Sequence, residues 1–381
     1  MEKCFLPALL ALMLSQCKVN PPLALSPTDP AEALPEIRLP EGFRISLFAR
    51  VKNARAMTLS PSGILFVGSR KEGKVYAVLN RDGDLKADEV VTVASGLHMP
   101  TGVCYHQGDL YVSEVSRILV FENIDKTFRN QPVPKEIPYR FPSEEHHGWK
   151  YIRFGPDGLL YVPVGAPCNV CLREDDPRFA TIMRLRKDGT GAEIVARGVR
   201  NSVGFDWNPL TGTLWFTDNG RDWMGDDLPP CELNACPKPG LHFGFPYCHG
   251  SQIPDPDYGR IASCQNFTPP AQELGPHVAP LGMTFYTHKR FPQRYHNGIF
   301  IAEHGSWNRS TPIGYRVTFV PVQDDKALGY EVFASGWLRP DGSRWGRPVD
   351  VITTSEGHLL VSDDYGDAIY IITYDDPKST K

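Results

Sequence analysis

One short phrase recurs six times along the chain: a turn residue and a glycine, followed by a run of alternating apolar residues. The glycines of the six copies are Gly63, Gly108, Gly158, Gly212, Gly298 and Gly357. Each supplies the positive φ that a tight hairpin turn needs, and the run after it has the pattern of a strand. A second apolar run precedes each copy, so every unit begins as strand, turn, strand. Units of about 40–50 residues built from short strands are typical of propeller blades.

We therefore predict an all-β fold, a six-bladed β-propeller, over residues 38–375. The blades are expected at 54–98, 99–145, 146–197, 198–278, 279–339 and 340–375. Residues 42–51 alternate cleanly and are expected to supply the outer strand of the last blade, which closes the ring and removes exposed sheet edges. Residues 219–278 predict a loop-rich insertion between blades four and five, and loops of this size are usually functional.

The net charge of the chain indicates which kinds of binding partner to expect. The 381 residues carry a formal net charge of −4 and are 41% hydrophobic, which fits a large packed core. A protein that binds nucleic acid electrostatically usually has a basic face. We therefore predict no nucleic-acid partner.

The N-terminus has the pattern of an export signal, residues 1–17, with Lys3 before an apolar run from Phe5 to Leu14. That run is too short to span a bilayer. Leu14-Ser15-Gln16-Cys17 resembles a bacterial lipoprotein cleavage box, but glutamine fits poorly before the cysteine, so lipidation of Cys17 and plain secretion both stay open. The chain is predicted to be exported, either periplasmic or a membrane-anchored lipoprotein. Residues 18–37 are expected to be a flexible linker and 376–381 a C-terminal tail.

Nine cysteines are present, and Cys4 and Cys17 belong to the signal. Six others form three local pairs: Cys168 with Cys171, Cys231 with Cys236, and Cys248 with Cys264. In an exported protein they predict three disulfides. A zinc site built from the same thiolates is the alternative, disfavoured by the long interval between the first and second pairs. Cys104, on an apolar strand, is expected to be a buried, inert thiol.

Five polar clusters fall on loops that enter or leave the inner strands, where propellers place ligands over the channel. They occupy residues 144–150, 197–202, 217–227, 303–309 and 344–350. Each alone is compatible with an ordinary solvated loop. Their shared position in the repeat predicts one funnel that contains histidine, arginine, asparagine, acidic and aromatic side chains. Such a funnel suits a polyanionic, planar ligand.

Three of these clusters suggest specific chemistry. His146 and His147 precede the third inner strand, where an imidazole can act as general base near neutral pH. Arg200 and Asn201 precede the fourth, and a forked donor beside an amide suits a carboxylate or quinone oxygen. Residues 217–227 are rich in oxygen ligands, which is compatible with Ca²⁺ and also with an ordinary acidic loop.

Over residues 38–375 the chain resembles the glucose/sorbosone dehydrogenase family, whose members are six-bladed propellers that use pyrroloquinoline quinone (PQQ) and Ca²⁺. It is most similar to the sorbosone dehydrogenase-like branch. The resemblance is carried by His146-His147-Gly148-Trp149-Lys150-Tyr151, Phe154-Gly155-Pro156-Asp157-Gly158-Leu159-Leu160-Tyr161-Val162 and Gly165-Ala166-Pro167-Cys168-Asn169-Val170-Cys171.

This resemblance implies His147 as the catalytic base and Arg200 and Asn201 as quinone contacts. It implies that backbone carbonyls of the Gly220-Arg221 region hold the Ca²⁺. The reaction implied is oxidation of a sugar or a sugar-derived aldehyde, with hydride transfer to the quinone and an external electron acceptor.

The last blade and the fifth repeat depart from that pattern. Arg347 matches one arginine of the family's cofactor clamp, but the soluble glucose dehydrogenases have a second where Val349 stands here. Their lysine after the fifth repeat strand has no clean counterpart, and His304 and Arg309 are the candidates to replace it. Two alternatives therefore stay open: a Ca²⁺-dependent lactonase-type hydrolase, and a non-catalytic exported propeller that binds glycans or protein.

Overall fold

The structure, a computed structural model, describes residues 28–376. The predicted signal with Cys17 and all but the first residue of the predicted C-terminal tail lie outside the described residues. Within 28–376 the helices are α1 (Pro30–Ala33) and α2 (Ile124–Thr127), with 3₁₀ turns at Leu34–Glu36, Phe128–Asn130, Cys264–Asn266 and Gln293–Tyr295. No helix in this range has the length and apolarity to cross a membrane. The fold of the described residues is therefore built almost entirely from β-strands.

Six antiparallel sheets, each built around four strands, form the six blades of the propeller. The first strand, β1 (Phe43–Arg50), belongs to the last blade. Blade one contains β2 (Ala54–Leu59), β3 (Leu65–Ser69), β4 (Val75–Leu79) and β5 (Glu89–Ala94). Blade two contains β6 (Val103–His106), β7 (Asp109–Ser113), β8 (Ile118–Phe121) and β9 (Lys135–Glu136). Blade three contains β10 (Arg153–Phe154), β11 (Leu160–Val164), β12 (Thr181–Leu185) and β13 (Glu193–Arg197).

The second half of the ring repeats this order. Blade four contains β14 (Phe205–Trp207), β15 (Leu214–Asp218), β16 (Pro230–Cys236) and β20 (Gln272–Pro276). Blade five contains β21 (Pro280–Phe285), β22 (Ile299–Glu303), β23 (Arg316–Val320) and β26 (Glu331–Ala334). Between its last two strands lies a small hairpin of β24 (Val322–Gln323) and β25 (Lys326–Ala327). Blade six contains β27 (Pro348–Thr353), β28 (Leu359–Asp363) and β29 (Ala368–Tyr374).

The ring closes through β1, as the sequence predicts. This strand pairs antiparallel with β29, from Phe43 opposite Tyr374 to Arg50 opposite Ala368. The inner strand of blade six, β27, also contacts the inner strand of blade one, β2. The first and last strands of the propeller therefore share one sheet, which closes the ring.

The loop-rich insertion lies within blade four, between its third and fourth strands at residues 237–271, and not between blades four and five as the sequence predicts. Its first strand, β17 (Leu241–His242), pairs parallel with β13 and so extends blade three. A small hairpin of β18 (Cys248–His249) and β19 (Ile253–Pro254) follows. The insertion therefore packs against two neighbouring blades.

The structure contains two of the three predicted disulfides, Cys168–Cys171 and Cys248–Cys264. The predicted bond between Cys231 and Cys236 is wrong, because both are free thiols on the extended strand β16. Residues five apart in a strand lie on opposite faces and roughly 16 Å apart, well beyond disulfide reach. Cys104 is also a free, buried thiol, and burial raises its pKa to about 11.

Five of the six repeat glycines adopt the expected left-handed conformation, with φ between 74° and 97°. In the fifth copy that conformation belongs to Asn297, with a φ of 58°, and not to Gly298. A side chain at Gly298 would instead collide with the ring of Phe319. Glycine is therefore required there by packing, which turn chemistry alone does not reveal.

The expected flexible linker does not extend to residue 37. Asp29 caps α1 by accepting a hydrogen bond from the Ala31 amide, and it pairs with Arg50 of the closing strand. Ala33 is buried in the apolar cluster that contains Trp337 and Trp345. This segment packs against the propeller because it covers apolar side chains of blades five and six.

Neighbouring blades are joined by a repeated hydrogen bond. In blades two, four and six, the fifth residue after the turn glycine is a serine or threonine. Its hydroxyl donates to the carbonyl that opens the next inner strand, at 2.7 Å in each case: Ser113 to Lys150, Thr217 to Leu281, and Ser362 to Arg55. Because these contacts are buried, they fix the inner strands in relation to one another.

Candidate active site

A cavity of about 350 Å³ lies at the end of the channel where the chain enters the inner strands. Six of the residues predicted to act in catalysis or to bind the cofactor or metal line it, contributed by blades three to six: His147, Arg200, Asn201, Gly220, His304 and Arg347. A volume of this size lies at the lower end of the range for small-molecule sites, roughly 300–1,000 Å³. The repeat therefore does bring these scattered positions into one site.

His147 is held in one tautomer and one orientation. Its Nδ1 lies 2.8 Å from the carbonyl oxygen of Ala166, so Nδ1 carries the proton and donates it. Nε2 is left with a lone pair. The residue has a φ of 54°, a strained conformation for a non-glycine residue that is often found at functional sites. A side chain at Gly165 would approach the Cβ of His147 to 2.6 Å, so this packing requires a glycine.

The surroundings keep His147 neutral. Burial lowers the pKa of its imidazole well below the ordinary value, and the positive charge of Arg200 acts in the same direction. A neutral imidazole with an unprotonated Nε2 is the form that can accept a proton.

Arg200 spans the loops after the third and fourth repeat strands. Its Nε donates to the carbonyl of Asn169 at 2.8 Å, and its Nη1 donates to the carbonyl of Asn219 at 3.1 Å. Its Nη2 lies 2.9 Å from Oδ1 of Asn169 and 3.4 Å from the carboxylate of Asp222. These contacts place a fixed positive charge at the wall of the cavity.

Buried carboxylates hold the loops that carry several of these residues. Each residue whose hydroxyl joins two blades is followed directly in the sequence by an acidic residue. These acidic residues are Glu114, Asp218 and Asp363. Asp218 accepts the backbone N–H groups of Arg200 at 2.8 Å and Asn201 at 2.7 Å. Burial raises the pKa of Asp218 to about 7.

The same device recurs in two other blades. Asp363 accepts the amide of Arg347 at 2.8 Å, and burial raises the pKa of Asp363 to about 6. Glu114 accepts the amide of His98. Sequence reasoning missed this role, although the signal was present as a repeated hydroxyl–carboxylate dipeptide: Ser113-Glu114, Thr217-Asp218 and Ser362-Asp363.

Two further arginines of blade one line the cavity and were not predicted. Arg55 lies within β2, where the pairing with β3 shifts register between Ala54 and Met57. Such a bulge redirects a side chain that would otherwise follow the strand alternation. The same shift occurs in β21 and β27, around Leu281 and Val349. No residue pattern of the strand announces these bulges, so Arg55 was not expected at the cavity.

Arg70 follows β3 and stacks on Trp149, with its guanidinium carbon 4.2 Å from the ring centroid. Within residues 28–376 its guanidinium has no carboxylate partner, and burial together with Arg55 lowers its pKa. The cavity wall therefore holds four arginines: Arg55, Arg70, Arg200 and Arg347.

His304 lines the cavity and is hydrogen-bonded to Asp364, which also binds Arg55. Its Nε2 donates to Oδ1 of Asp364 at 2.8 Å, and the other oxygen of Asp364 accepts from Arg55 at 2.9 Å. Burial lowers the pKa of His304 to about 4. Arg347 donates to the carbonyl oxygens of His304 at 2.9 Å and Gly305 at 2.7 Å, so the two predicted residues are directly joined.

Val349 lies in a small, buried apolar cluster. It packs in one buried cluster with Val203 and Leu281, and the half-buried Trp149 lies against them. A cationic side chain at this position would have to enter that cluster.

Two predicted residues do not line the cavity. Arg221 is buried beside it, where it pairs with Asp255 and Asp257 of the insertion. Arg309 forms an ion pair with Asp227 at 3.0 Å. Among the residues that the structure describes, no cluster of three or more histidine, cysteine, aspartate or glutamate side chains has the arrangement of a metal site.

These features define the molecule as a six-bladed propeller with a cationic, histidine-containing cavity. The chain belongs to the TrAA12-like family, whose model matches residues 37–375.

Two relatives found by sequence are similar to this chain. An uncharacterised protein of Borreliella burgdorferi is 35% identical over 355 residues, which cover 89% of this chain and 91% of that protein. The aldose sugar dehydrogenase YliI of Escherichia coli is 24% identical over 192 residues, which cover 45% of this chain and 48% of that protein.

Solved structures show the same fold. A Trichoderma reesei protein of carbohydrate-active enzyme family AA12 has a TM-score of 0.79 at 19% identity, with 92% of this chain and 99% of that chain covered. The holo PQQ domain of pyranose dehydrogenase from Coprinopsis cinerea has a TM-score of 0.73 at 18% identity, with coverages of 88% and 97%. A PQQ-bound aldose sugar dehydrogenase from Streptomyces coelicolor has a TM-score of 0.65 at 19% identity, with coverages of 89% and 100%.

Proposed function

We propose that this protein is a PQQ- and Ca²⁺-dependent oxidoreductase that oxidises a sugar or a sugar-derived aldehyde. The observation that carries the proposal is the convergence of four arginines and the tautomer-fixed His147 in one cavity of about 350 Å³. The relatives whose names include PQQ or sugar dehydrogenase support the same class. The sorbosone dehydrogenase-like branch stays a prediction.

The cavity fits the chemistry of PQQ, a planar tricarboxylate. Arginine forks pair well with carboxylates, and Nε of Arg55 is buried without a hydrogen-bond partner. Arg70 has no carboxylate partner within the described chain, so it also has donors to offer. We assign Arg55, Arg70, Arg200 and Arg347 as the groups that bind the carboxylate and quinone oxygens. Asn201 and His304 line the same wall.

The chemistry of the protein's own groups centres on His147. Its Nε2 accepts the hydroxyl proton of the sugar, or of the hydrate of an aldehyde, while Nδ1 stays bonded to Ala166. Arg200, on the wall of the same cavity, would stabilise negative charge that develops during the reaction. When bound, PQQ supplies the two-electron acceptor, a role that no side chain can fill. An external acceptor would be needed to take these electrons.

Calcium is proposed at the segment that begins with Gly220. The carbonyls of Gly220 and Arg221 would be its protein ligands, with the carboxylate of Asp222 nearby on the cavity wall. Arg221 contributes through its backbone in this assignment, because its side chain is committed to Asp255. Arg309 stays a candidate cofactor ligand only if it leaves Asp227.

We also propose that the protein is exported. The two disulfides support an oxidising compartment. The signal peptide and the lipid anchor at Cys17 remain predictions.

Reconstitution tests the function. Purified apoprotein is mixed with PQQ and Ca²⁺, and dye reduction is followed with a panel of aldoses and aldehydes. We expect activity that needs PQQ and is lost in His147→Ala. No activity with any sugar or aldehyde, together with no retained quinone absorbance, would overturn the proposal. Lactone hydrolysis without PQQ would favour the hydrolase alternative instead.

A further inference from the structure

Two tryptophans stand exposed beside the cavity. Trp223 and Trp307 are 68% and 65% exposed, whereas Trp215, Trp337 and Trp345 are fully buried. The rings of the exposed pair meet edge to face, with centroids 5.3 Å apart and planes at 87°. Trp307 lines the cavity itself. Large aromatic side chains exposed in this way commonly mark a binding surface.

The pair is held by specific contacts between the two loops. The amide of Ser310 donates to Asp226 at 3.0 Å, and Arg309 pairs with Asp227 at the same distance. His277 Nε2 donates to the carbonyl of Gly225 at 2.8 Å, which ties the first loop to the cavity wall. These contacts flank both tryptophans, so the loops form one braced rim.

Trp223 also has a strained backbone, with a φ of 70°. A bulky residue adopts this conformation rarely, and it persists only where the surrounding contacts impose it. The exposure of the indole is therefore a product of the loop geometry.

Polar groups with unused hydrogen-bonding capacity surround the indoles. Oδ1 of Asn308, next to Trp307, is buried without a hydrogen-bond partner. The side chain of Asp227 is 85% exposed although one of its oxygens pairs with Arg309. Asp222 lines the cavity below the rim. Acceptors beside an apolar indole face match a ligand that has hydroxyl donors and an apolar C–H face.

We propose that Trp223 and Trp307 form a saccharide-binding rim over the cavity. A pyranose ring stacks its C–H face on an indole while its hydroxyls donate to the exposed carboxylate of Asp227. The proposal deepens the proposed function, on which its link to oxidation rests, but binding at the rim needs no cofactor.

Binding to the apoprotein tests the rim directly. Tryptophan fluorescence and calorimetry are followed while glucose, maltose and cellobiose are added, with no PQQ present. We expect saturable binding that Trp307→Ala and Trp223→Ala each weaken at least about tenfold. Trp307→Phe should restore much of the affinity, since it keeps an aromatic face. Ile261→Ala, at an exposed residue of the insertion, is the matched control and should bind as the wild type does.

The possible outcomes distinguish the proposal of a saccharide-binding rim from the proposed oxidoreductase function. Absence of saturable binding by all three sugars, or equal binding by wild type and both alanine variants, would overturn the rim. Sugar oxidation by the loaded enzyme with KM unchanged in both variants would also overturn it and leave the proposed function standing. Saccharide binding that depends on the tryptophans, in a protein that oxidises no sugar, would support the rim and remove the proposed function.

Discussion

The Nδ1 atom of His147 lies 2.8 Å from the carbonyl oxygen of Ala166, and this contact fixes which nitrogen can act as a base. A carbonyl can only accept, so the proton stays on Nδ1 and Nε2 is free. His147→Ala is expected to lower turnover about 10²–10⁴-fold, the usual contribution of a general base, while PQQ binding persists. Steady-state kinetics and retained quinone absorbance measure the two effects. His98→Ala, which removes an exposed imidazole, is the control, and an equal loss there would contradict this role.

The pH profile reports the environment of the same imidazole. Burial first, and Arg200 second, hold the pKa of His147 well below 6.5. The base is active when neutral, so kcat/KM should stay high as the pH falls through 6.5 and decline only at lower pH. Arg200→Gln removes a positive charge, so it should raise that pKa and move the acid limb to higher pH. A limb that stays in place would show that Arg200 does not act on His147.

A substitution at Arg70 can distinguish an effect on PQQ binding from an effect on the stability of the fold. It is half-buried without a carboxylate partner in the described chain, and Arg55 repels it. Arg70→Leu should weaken PQQ binding about tenfold or more, since a hydrogen bond to a charged group contributes roughly 1.5–3 kcal/mol. Stability in urea should fall by only about 0.5–1 kcal/mol, because the stacking on Trp149 is lost but no ion pair is. Unchanged PQQ affinity would exclude Arg70 from the ligand site, and Lys71→Leu next to it is the control.

The blade-joining hydrogen bonds can be tested at Thr217. Its hydroxyl donates to the carbonyl of Leu281 at 2.7 Å in a buried setting. Thr217→Val leaves that carbonyl unsatisfied and should lower the free energy of unfolding by about 1–3 kcal/mol. Urea denaturation measures the change. Thr92→Val, at an exposed strand position, should have little effect; an equal loss there would argue against a specific role for the hydrogen bond.

The cysteine pairing gives a chemical test of the fold. Peptide mapping without reduction should find Cys168 linked to Cys171 and Cys248 linked to Cys264. Cys231 and Cys236 should react with alkylating reagents only after unfolding, because burial raises the pKa of each thiol to about 11. A peptide that links Cys231 to Cys236 would contradict the extended course of β16.

Much of the architecture could be predicted because its signals are local. Hairpin turns, alternating strands and the closing strand Phe43–Arg50 are all visible in short stretches of sequence. The repeat also located His147, Arg200 and Arg347, since equivalent loops of a ring face one channel.

The features that the sequence did not predict depend on contacts between residues that are distant in the chain. Arg55 reaches the cavity through a bulge that is defined by pairing with β3, and nothing in its own strand marks it. Asn297 takes the left-handed turn position, and glycine is required at position 298 because a side chain there would meet the ring of Phe319. The side chain of Arg221 turns toward Asp255, a partner 34 residues away in the insertion. Such outcomes are set by packing and charge pairing that a linear pattern does not contain.

One measurement tests the central claim most directly: the absorbance of PQQ bound to the protein, recorded before and after addition of an aldose, without an external acceptor. The account predicts that wild-type protein retains the quinone through gel filtration and that the sugar converts its spectrum to the reduced form in a single turnover. His147→Ala should retain the quinone and leave its spectrum unchanged. A wild-type protein that retains no quinone in the presence of Ca²⁺, or whose bound quinone no aldose or aldehyde reduces, would contradict the account.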